Sequence, residues 1–262
     1  MANRIAGVAP AVILMFSSAS AVAGECLRAI ITGDPDYRPI SYLDGTRLRG
    51  AAFDIVEAAL DRIAQPYEVR TTGPWKRVLA AGQTGEIDII VEVKPTPERE
   101  RYLAFTGTPV YSNPVAAFTR RADHRVIHGW NDLVGLHGAR VLGNSFSAEF
   151  DDFVEHRLDI TEVARVELGF KMVEAGHLDY FLDSYYAGFS YLLETGQTDA
   201  FTVQQPYMTD TPSFVGFARN GNCLGRLEAL DAALDAMRRD GSIKRLFDAA
   251  VARRPTGHPP AQ

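Results

Sequence analysis

The chain has 262 residues, of which 46% are hydrophobic and 23% charged, and its formal net charge at pH 7 is −6. This length is enough for one large domain or two smaller lobes. A mildly acidic chain binds polyanions poorly, which argues against nucleic acid as the main partner.

The first 23 residues have the features of a secretory signal peptide. Arg4 is the single charge before an apolar run from Val8 to Phe16, and small residues lead to an Ala21-Val22-Ala23 cleavage motif. The apolar run is too short to span a bilayer, which takes about 20 residues. We predict cleavage after residue 23, which changes the formal net charge from −6 to −7 by removing Arg4 and releases a soluble, exported protein.

Only two cysteines occur in the chain, Cys26 and Cys223. The exported compartment is oxidising, so we predict a disulfide between them, with two unpaired buried thiols as the alternative. Two cysteines so far apart do not make a structural zinc site, which needs several Cys and His residues at short intervals. The six histidines form no pair at helical spacing, so we expect no metal.

The first half of the mature chain alternates short apolar runs with helical patterns. We predict a strand at 27–32, a helix at 51–64, a second helix from about Trp75 and a strand at 87–91. This order is typical of a β-α-β layout up to about residue 110. The expected class is therefore α/β with mainly parallel sheets.

The same logic recurs in the second half. Strands are predicted at 115–119, 163–168, 178–182 and 213–219, helices at 169–175, 224–239 and 243–253, and a frayed tail at 256–262. The sequence shows no internal repeat, no low-complexity block and no later stretch of transmembrane length.

Sequence signatures of catalysis are absent. The chain has no phosphate loop, no GxGxxG dinucleotide motif, no HExxH zinc motif and no GxSxG nucleophile elbow. The nearest match to the last motif, GNSFS at 143–147, lacks the final glycine. We therefore expect a protein that is not an enzyme and that uses no cofactor.

Several segments resemble the family 3 bacterial extracellular solute-binding proteins, which serve amino-acid ABC transporters. The most specific segment is Thr96-x-Glu98-Arg99 followed by Phe105-Thr106-x-x-Pro109-Val110-Tyr111, close to the family pattern T-x-E-R…F-S-x-P-Y. The others are GDPDYRP at 33–39, GAAFDIVEAAL at 50–60, PWKRVLAAGQTGEIDII at 74–90 and GHLDYFLDS at 176–184. The resemblance covers nearly the whole mature chain, in the family's order.

This resemblance implies a two-lobed clamp of the type II periplasmic-binding-protein kind, with a mainly parallel sheet in each lobe and two hinge crossovers. The first lobe would comprise residues 24–110 and a returning segment at 209–255, and the second lobe residues 111–208. Hinge closure would capture a small polar ligand, an amino acid or related carboxylate, for an ABC permease in the inner membrane. The protein would act in the periplasm as a monomer.

The resemblance also implies a set of ligand-binding residues. The family's T-x-E-R arginine, here Arg99, holds the α-carboxylate of the ligand, and its planar guanidinium can donate two hydrogen bonds to one carboxylate. Tyr37 and Trp75 would form an aromatic lid. In the second lobe, Asn144 and Ser145 lie in a loop at a helix start, where N–H groups favour a carboxylate.

Each of these assignments has a structural alternative. Arg99 could instead form a surface ion pair with Glu98 or Glu100, and Trp75 could belong to the core. The second-lobe loop could carry an ordinary helix cap, formed by Ser145 or Ser147.

Three departures from the family pattern concern the ligand. Glu92 and Lys94 replace small residues and lie on one strand face, so they either read extra charges on the ligand or pair with each other. The acid for the ligand's amino group is expected five residues after Asp179, where this chain has Ser184, with Asp183 one residue early. Finally, a proline before the T-x-E-R motif removes a backbone donor.

Two other functions are open. The same fold carries periplasmic dehydratases of the cyclohexadienyl or arogenate type, for which Glu92 would be the acid that expels a leaving group. A sensory ligand-binding domain is disfavoured because no transmembrane helix or kinase region follows in the sequence.

Overall fold

Residues 26–253 are described by a computed structural model of the chain. The predicted signal peptide at 1–23 and the predicted tail at 256–262 lie outside these residues. The strands are β1 (Ala29–Thr32), β2 (Asp36–Tyr37), β3 (Ser41–Asp44), β4 (Arg47–Arg49), β5 (Tyr67–Val69), β6 (Ile89–Val93), β7 (Leu103–Phe105), β8 (Tyr111–Arg120), β9 (His137–Val141), β10 (Asp159–Val163), β11 (Tyr180–Ser184), β12 (Phe201–Val203) and β13 (Thr209–Ala218). The α-helices are α1 (Ala51–Arg62), α2 (Trp75–Thr84), α3 (Ala148–Arg157), α4 (Val166–Glu174), α5 (Tyr185–Thr195), α6 (Leu227–Arg239) and α7 (Ser242–Ala252).

Two long strands, β8 and β13, join the halves of the molecule. The main path of the sheet runs β10-β9-β11-β8-β13-β6-β1-β5, so β8 and β13 lie at its centre and pair antiparallel with each other. On either side of them, β1 pairs parallel with β5 and β6, and β9 pairs parallel with β10 and β11. The expected two-lobed α/β architecture with two crossovers is confirmed. The exact lobe boundaries, at 110/111 and 208/209, stay a prediction.

Each lobe has its own apolar core. In the first lobe, α1 buries Phe53, Val56 and Leu60 against β1, β6, α6 and α7. In the second lobe, Phe170 of α4 packs edge-on against Phe181 of β11, with their ring centroids 5.2 Å apart. The clusters of buried apolar residues are thus separate in the two lobes.

The predicted strand at 163–168 is wrong. Strand β10 ends at Val163 and helix α4 begins at Val166. The residues Val166, Phe170 and Val173 are buried at helical spacing, and their contact with the sheet decides between the two periodicities that this apolar run allows.

Other predicted strands are correct in type but displaced along the chain. The strand predicted at 87–91 lies at Ile89–Val93, and the one predicted at 178–182 lies at Tyr180–Ser184. Both displacements carry the polar residues that follow the apolar run into the strand. As a result Glu92, Asp183 and Ser184 lie within strands rather than in loops, and Asp183 and Ser184 pair with β8.

The predicted disulfide joins Cys26 to Cys223. It ties the start of the first lobe to the segment that returns to that lobe before α6. Gln65 supports this junction, because its side-chain amide donates to the Cys26 carbonyl at 3.1 Å and its amide oxygen accepts from Arg226 Nε at 2.7 Å. Among residues 26–253, no helix is long and apolar enough to cross a membrane.

The disulfide should contribute measurably to stability. The double variant Cys26→Ser, Cys223→Ser should lose about 2–5 kcal/mol in the free energy of unfolding. The reason is that the bond joins residues 197 positions apart and so restricts the conformational freedom of the unfolded chain. Denaturant titration measures this loss, and reduction of the unaltered protein should reproduce it. Equal stability with and without reductant would contradict the prediction.

Candidate ligand-binding cleft

The nine residues predicted to bind the ligand lie around one cleft between the lobes. Its inner part has a volume of about 450 Å³, within the range of small-molecule sites. Eight of the nine line this inner part: Tyr37, Trp75, Glu92, Lys94, Arg99, Asn144, Ser145 and Ser184. The ninth, Asp183, lines the adjoining mouth. The structure therefore brings them together, and their role in binding stays a prediction.

Three side chains of the first lobe donate hydrogen bonds to backbone carbonyls of the second. Trp75 Nε1 and Arg99 Nη2 donate to the Gly143 carbonyl at 3.2 and 2.9 Å, and Lys94 Nζ donates to the Phe146 carbonyl at 3.0 Å. Arg99 Nη1 also donates to the carbonyl of Lys94 at 2.8 Å. These bonds hold the cleft in a closed arrangement.

Arg99 is positioned by a short turn that the T-x-E-R motif forms. The hydroxyl oxygen of Thr96 accepts the Arg99 N–H at 3.2 Å, and the Thr96 carbonyl accepts the N–H of Glu100 at 2.9 Å. The Arg99 side chain is only 5% exposed and extends over the Trp75 ring, 5.6 Å from its centroid. The surface ion pair considered for Arg99 is therefore wrong.

Trp75 combines the two roles that its sequence position left open. It begins α2 and packs with Val78 and Ile90 in a core cluster, yet its ring also forms a wall of the cleft. Its partner Gly143 has a φ of +84°, a conformation that L side chains adopt at a cost of about 1–2 kcal/mol. Glycine thus shapes the loop that both Trp75 and Arg99 contact.

Buried carboxyl groups dominate the other side of the cleft. Glu92 on β6 accepts the Asp34 N–H through Oε1 at 2.9 Å, and Asp183 on β11 accepts the Ser184 N–H through Oδ1 at 2.8 Å. Glu92 Oε2 and Asp183 Oδ2 have no hydrogen-bond partner among the described residues. A buried polar atom without a partner is costly, so both oxygens are open to a donor.

Burial shifts the pKa values of these groups toward their neutral forms. It raises the pKa of Asp34 to about 7 and raises those of Glu92 and Asp183, and the neighbouring Asp34 charge adds to the last two shifts. Burial also lowers the pKa of Lys94 to about 8, partly offset by attraction to Asp151. The cleft therefore favours the binding of protons or of a cation.

Glu92 and Lys94 do not pair with each other. Glu92 lies in β6 and Lys94 directly follows it, but Lys94 donates to the second-lobe carbonyl of Phe146 while Glu92 accepts from the backbone N–H of Asp34. Of the two interpretations in the sequence analysis, the local ion pair is wrong. An electrostatic reading of the ligand by this pair stays a prediction.

Tyr37, Asn113 and Ser184 form a hydrogen-bonded chain through the centre of the cleft. The Ser184 hydroxyl donates to Asn113 Oδ1 at 2.6 Å, and Asn113 Nδ2 donates to the Tyr37 hydroxyl oxygen. Asn113 lies on β8, where the polypeptide crosses between the lobes. The hydrogen bonds of Asn113 therefore connect a residue of each lobe to this crossing strand. Ser184 therefore lines the inner cleft, and its strand neighbour Asp183 faces the mouth.

The second-lobe loop is capped by an acid that follows it. The Ser145 hydroxyl and the Phe146 N–H, here called the second-lobe donor pair, both donate to the carboxylate of Asp151 in α3, the latter at 2.9 Å. Ser147 is the helix cap, since its hydroxyl oxygen accepts the Phe150 N–H at 3.2 Å. Of the two serines considered as caps, the structure selects Ser147.

Sequence reasoning missed several polar residues of this region, among them Asp34, Asn113, Asp151 and Ser213. Asp34 lies within the GDPDYRP segment, and its position directly after β1 was a usable signal. Asn113 and Asp151 gave no comparable signal, because their partners lie on other elements. Among residues 26–253, no three His, Cys, Asp or Glu side chains are placed to hold a metal ion.

A family model decides the relationship of the chain to known proteins. The model of the bacterial extracellular solute-binding proteins, family 3, matches residues 29–251. The chain belongs to this family. Members of this family are solute-binding proteins. No relative among curated proteins matches the sequence.

Solved structures share the fold at low sequence identity. The arginine-, lysine-, histidine-binding protein ArtJ from Geobacillus stearothermophilus is 14% identical, with a TM-score of 0.71 over 87% of this chain and 97% of ArtJ. AbpA from Streptococcus pneumoniae, a substrate-binding protein bound to L-arginine, is 17% identical, with a TM-score of 0.71 over 86% and 94% of the two chains. The ancestral amino acid-binding protein AncCDT-1, a precursor of cyclohexadienyl dehydratase, is 20% identical, with a TM-score of 0.69 over 86% and 96%.

The pKa of Asp34 predicts how stability depends on pH. The Asp34 carboxyl has a pKa of about 7 in the folded protein and an ordinary pKa of 3.8 when exposed to water. Between these two pH values the folded state therefore holds one proton that the unfolded state has released. The free energy of unfolding should fall as pH rises toward 7, with Asp34 accounting for about 1–2 kcal/mol between pH 5 and 7. Asp34→Asn should remove that part of the slope, as measured by denaturant titration at several pH values.

The exposed acid Asp61 on α1 supplies the matched control. Asp61→Asn should leave the pH profile of the unaltered protein in place. Parallel profiles for Asp34→Asn and the unaltered protein would contradict the assignment.

Proposed function

We propose that this protein is a periplasmic binding protein that captures a small polar solute of the amino-acid type and delivers it to an ABC permease of the inner membrane. The observation that carries this proposal is the pair of buried, unpartnered carboxylate oxygens, on Glu92 and Asp183, that face the cleft from opposite lobes. A ligand ammonium group is the natural donor to such oxygens. The secretory leader predicted at 1–23 and the disulfide support the location.

Binding and closure are coupled through contacts that span the lobes. The bonds from Trp75, Lys94 and Arg99 to second-lobe carbonyls exist only when the cleft is closed. At the surface, Arg38 Nε and Glu194 Oε1 pair across the lobes at 2.9 Å. A solute that bridges the lobes shifts the population toward this closed form, which a permease can distinguish from the open one. The protein would act as a monomer, since one chain supplies both sides of the cleft.

The difference between satisfied and unsatisfied charges in the cleft orients the solute. Lys94 and Arg99 donate to carbonyls of the second-lobe loop, whereas one oxygen each of Glu92 and Asp183 lacks a donor among the described residues. A small molecule with a positively charged amine is therefore held with that amine toward Glu92 and Asp183.

A dehydratase is the second candidate function. Burial raises the pKa of Glu92, so this side chain can hold a proton in the cleft, as a general acid must. Incubation with prephenate or arogenate tests this directly. We expect no aromatic product, and product formation that is lost in Glu92→Gln would establish the enzymatic alternative.

Arg99 should be essential for capture. In Arg99→Ala, the affinity for the best-bound solute should fall at least about tenfold, because a tie between the lobes is lost and the charge near Asp151 is uncompensated. A thermal-shift screen against amino acids and amines identifies the solute, and calorimetry measures its affinity. Arg101→Ala, a change of the exposed neighbouring arginine, is the matched control and should bind normally.

Closure should be visible through Trp75. The chain has two tryptophans, and Trp130→Phe leaves Trp75, whose indole N–H bonds the second lobe, as the only emitter. We expect its fluorescence to change with a saturable dependence on the solute. Trp75→Phe, which retains Trp130, should show little change, and equal responses from both variants would contradict closure at this residue.

A further inference from the structure

The anion-binding position of the second lobe is occupied by the protein itself. A hydroxyl and a backbone N–H at the start of a helix form a natural seat for a carboxylate. Here the second-lobe donor pair, the Ser145 hydroxyl and the Phe146 N–H, already binds both oxygens of Asp151. A ligand carboxylate would have to displace this internal one.

The two basic side chains of the cleft, Lys94 and Arg99, likewise have partners within the protein. The charge of Asp151 acts on Lys94 and Arg99 and raises the pKa of each, against the lowering effect of burial. Lys94 Nζ and both terminal nitrogens of Arg99 donate to backbone carbonyls. The two cations thus have a counter-charge and hydrogen-bond acceptors within the protein.

The acids of the cleft, in contrast, are only partly satisfied. Glu92 Oε1 and Asp183 Oδ1 accept backbone N–H groups, whereas Glu92 Oε2 and Asp183 Oδ2 are buried without partners among residues 26–253. The Ser41 hydroxyl donates its one proton to the Asp34 carbonyl at 2.6 Å, so that proton is not available to Glu92. Asp34 lines both the inner cleft and the mouth and acts electrostatically on the other two acids.

The count of charges gives the class of ligand. Asp34, Asp36, Glu92 and Asp183 line the inner cleft or its mouth, together with Lys94, Arg99 and Arg165, and Asp151 lies close enough to act on Lys94 and Arg99. With all eight groups ionised, five negative charges face three positive ones, which leaves two negative charges in excess. Burial raises the pKa of Asp34, Glu92 and Asp183, and a ligand with two positive charges favours their ionised forms by neutralising that excess. A neutral amino acid brings no net charge and would add a second carboxylate next to Asp151.

We infer that the ligand is an aliphatic diamine without a carboxylate, whose two cationic groups donate to Glu92 of the first lobe and Asp183 of the second, while Asp151 takes the place of a ligand carboxylate. This inference rests on the proposed solute-binding function and specifies its substrate. The diamine would connect the lobes through its two ends, so its chain would span the closed cleft.

Two matched pairs of compounds test this inference by calorimetry on the mature protein. 1,5-Diaminopentane differs from lysine, and agmatine from arginine, only by the absent carboxylate. We expect the carboxylate-free member of at least one pair to bind about tenfold tighter or more, because it avoids repulsion by Asp151. Equal or tighter binding of lysine and arginine would overturn the inference while leaving the capture of amino acids intact.

Variants of α3 test whether Asp151 causes the preference for ligands without a carboxylate. Asp151→Asn removes the internal charge and should shift the affinity ratio of each pair toward the amino acid by about tenfold. Glu149→Gln, a change of an exposed acid in the first turn of the same helix, should leave the ratio unchanged. An unchanged ratio in a folded Asp151→Asn would overturn the role of Asp151.

If Asp151→Asn does not fold, calorimetry of the two compound pairs on the unaltered protein still decides the ligand class. Glu92→Gln should weaken diamine binding at least about tenfold, since one ammonium group then meets an uncharged amide. If neither member of either pair binds, and neutral amino acids do, the inference fails and the proposed function stands. If no amine or amino acid binds, both fail.

Discussion

Burial of charge between two lobes is the constraint on which the rest of the structure depends. Glu92, Lys94, Arg99 and Asp183 are each less than 7% exposed, and every such group costs free energy unless it has a partner. The cations find partners in carbonyls of the opposite lobe. Contact between the lobes and satisfaction of the buried cations therefore depend on the same hydrogen bonds, whereas Glu92 and Asp183 each keep one oxygen without a partner among the described residues.

The carbonyl of Gly143 is the acceptor that two of these hydrogen bonds between the lobes share. It accepts from both Trp75 and Arg99, and its loop leads directly to the donor pair that Asp151 occupies. The apolar wall of the cleft, the arginine of the T-x-E-R motif and the second-lobe helix thus meet within one short segment.

Much of the fold follows from local pattern. The apolar spacing of α1 and the alternation of strands and helices predicted an α/β protein, because burial of one helix face and of parallel strands leaves a clear periodicity. Residues 163–168 show the limit of this reasoning: their apolar residues fit both periods, and packing against β9 and β11 selected the helix. The strands that carry Glu92 and Asp183 were displaced for a similar reason, since buried polar residues extend a strand without an apolar signal.

The family pattern, the predicted Cys26–Cys223 disulfide and the residue types around the cleft could be read from the sequence, because these depend on motifs and on the number of candidates. Which polar groups meet depends on how the elements pack in the folded chain. Asp151 reaches the second-lobe donor pair, and Asn113 joins Tyr37 to Ser184, through contacts between elements far apart in the chain. Hydrogen-bond partners of this kind depend on distances of a few ångströms between separate elements, and linear spacing carries no record of them.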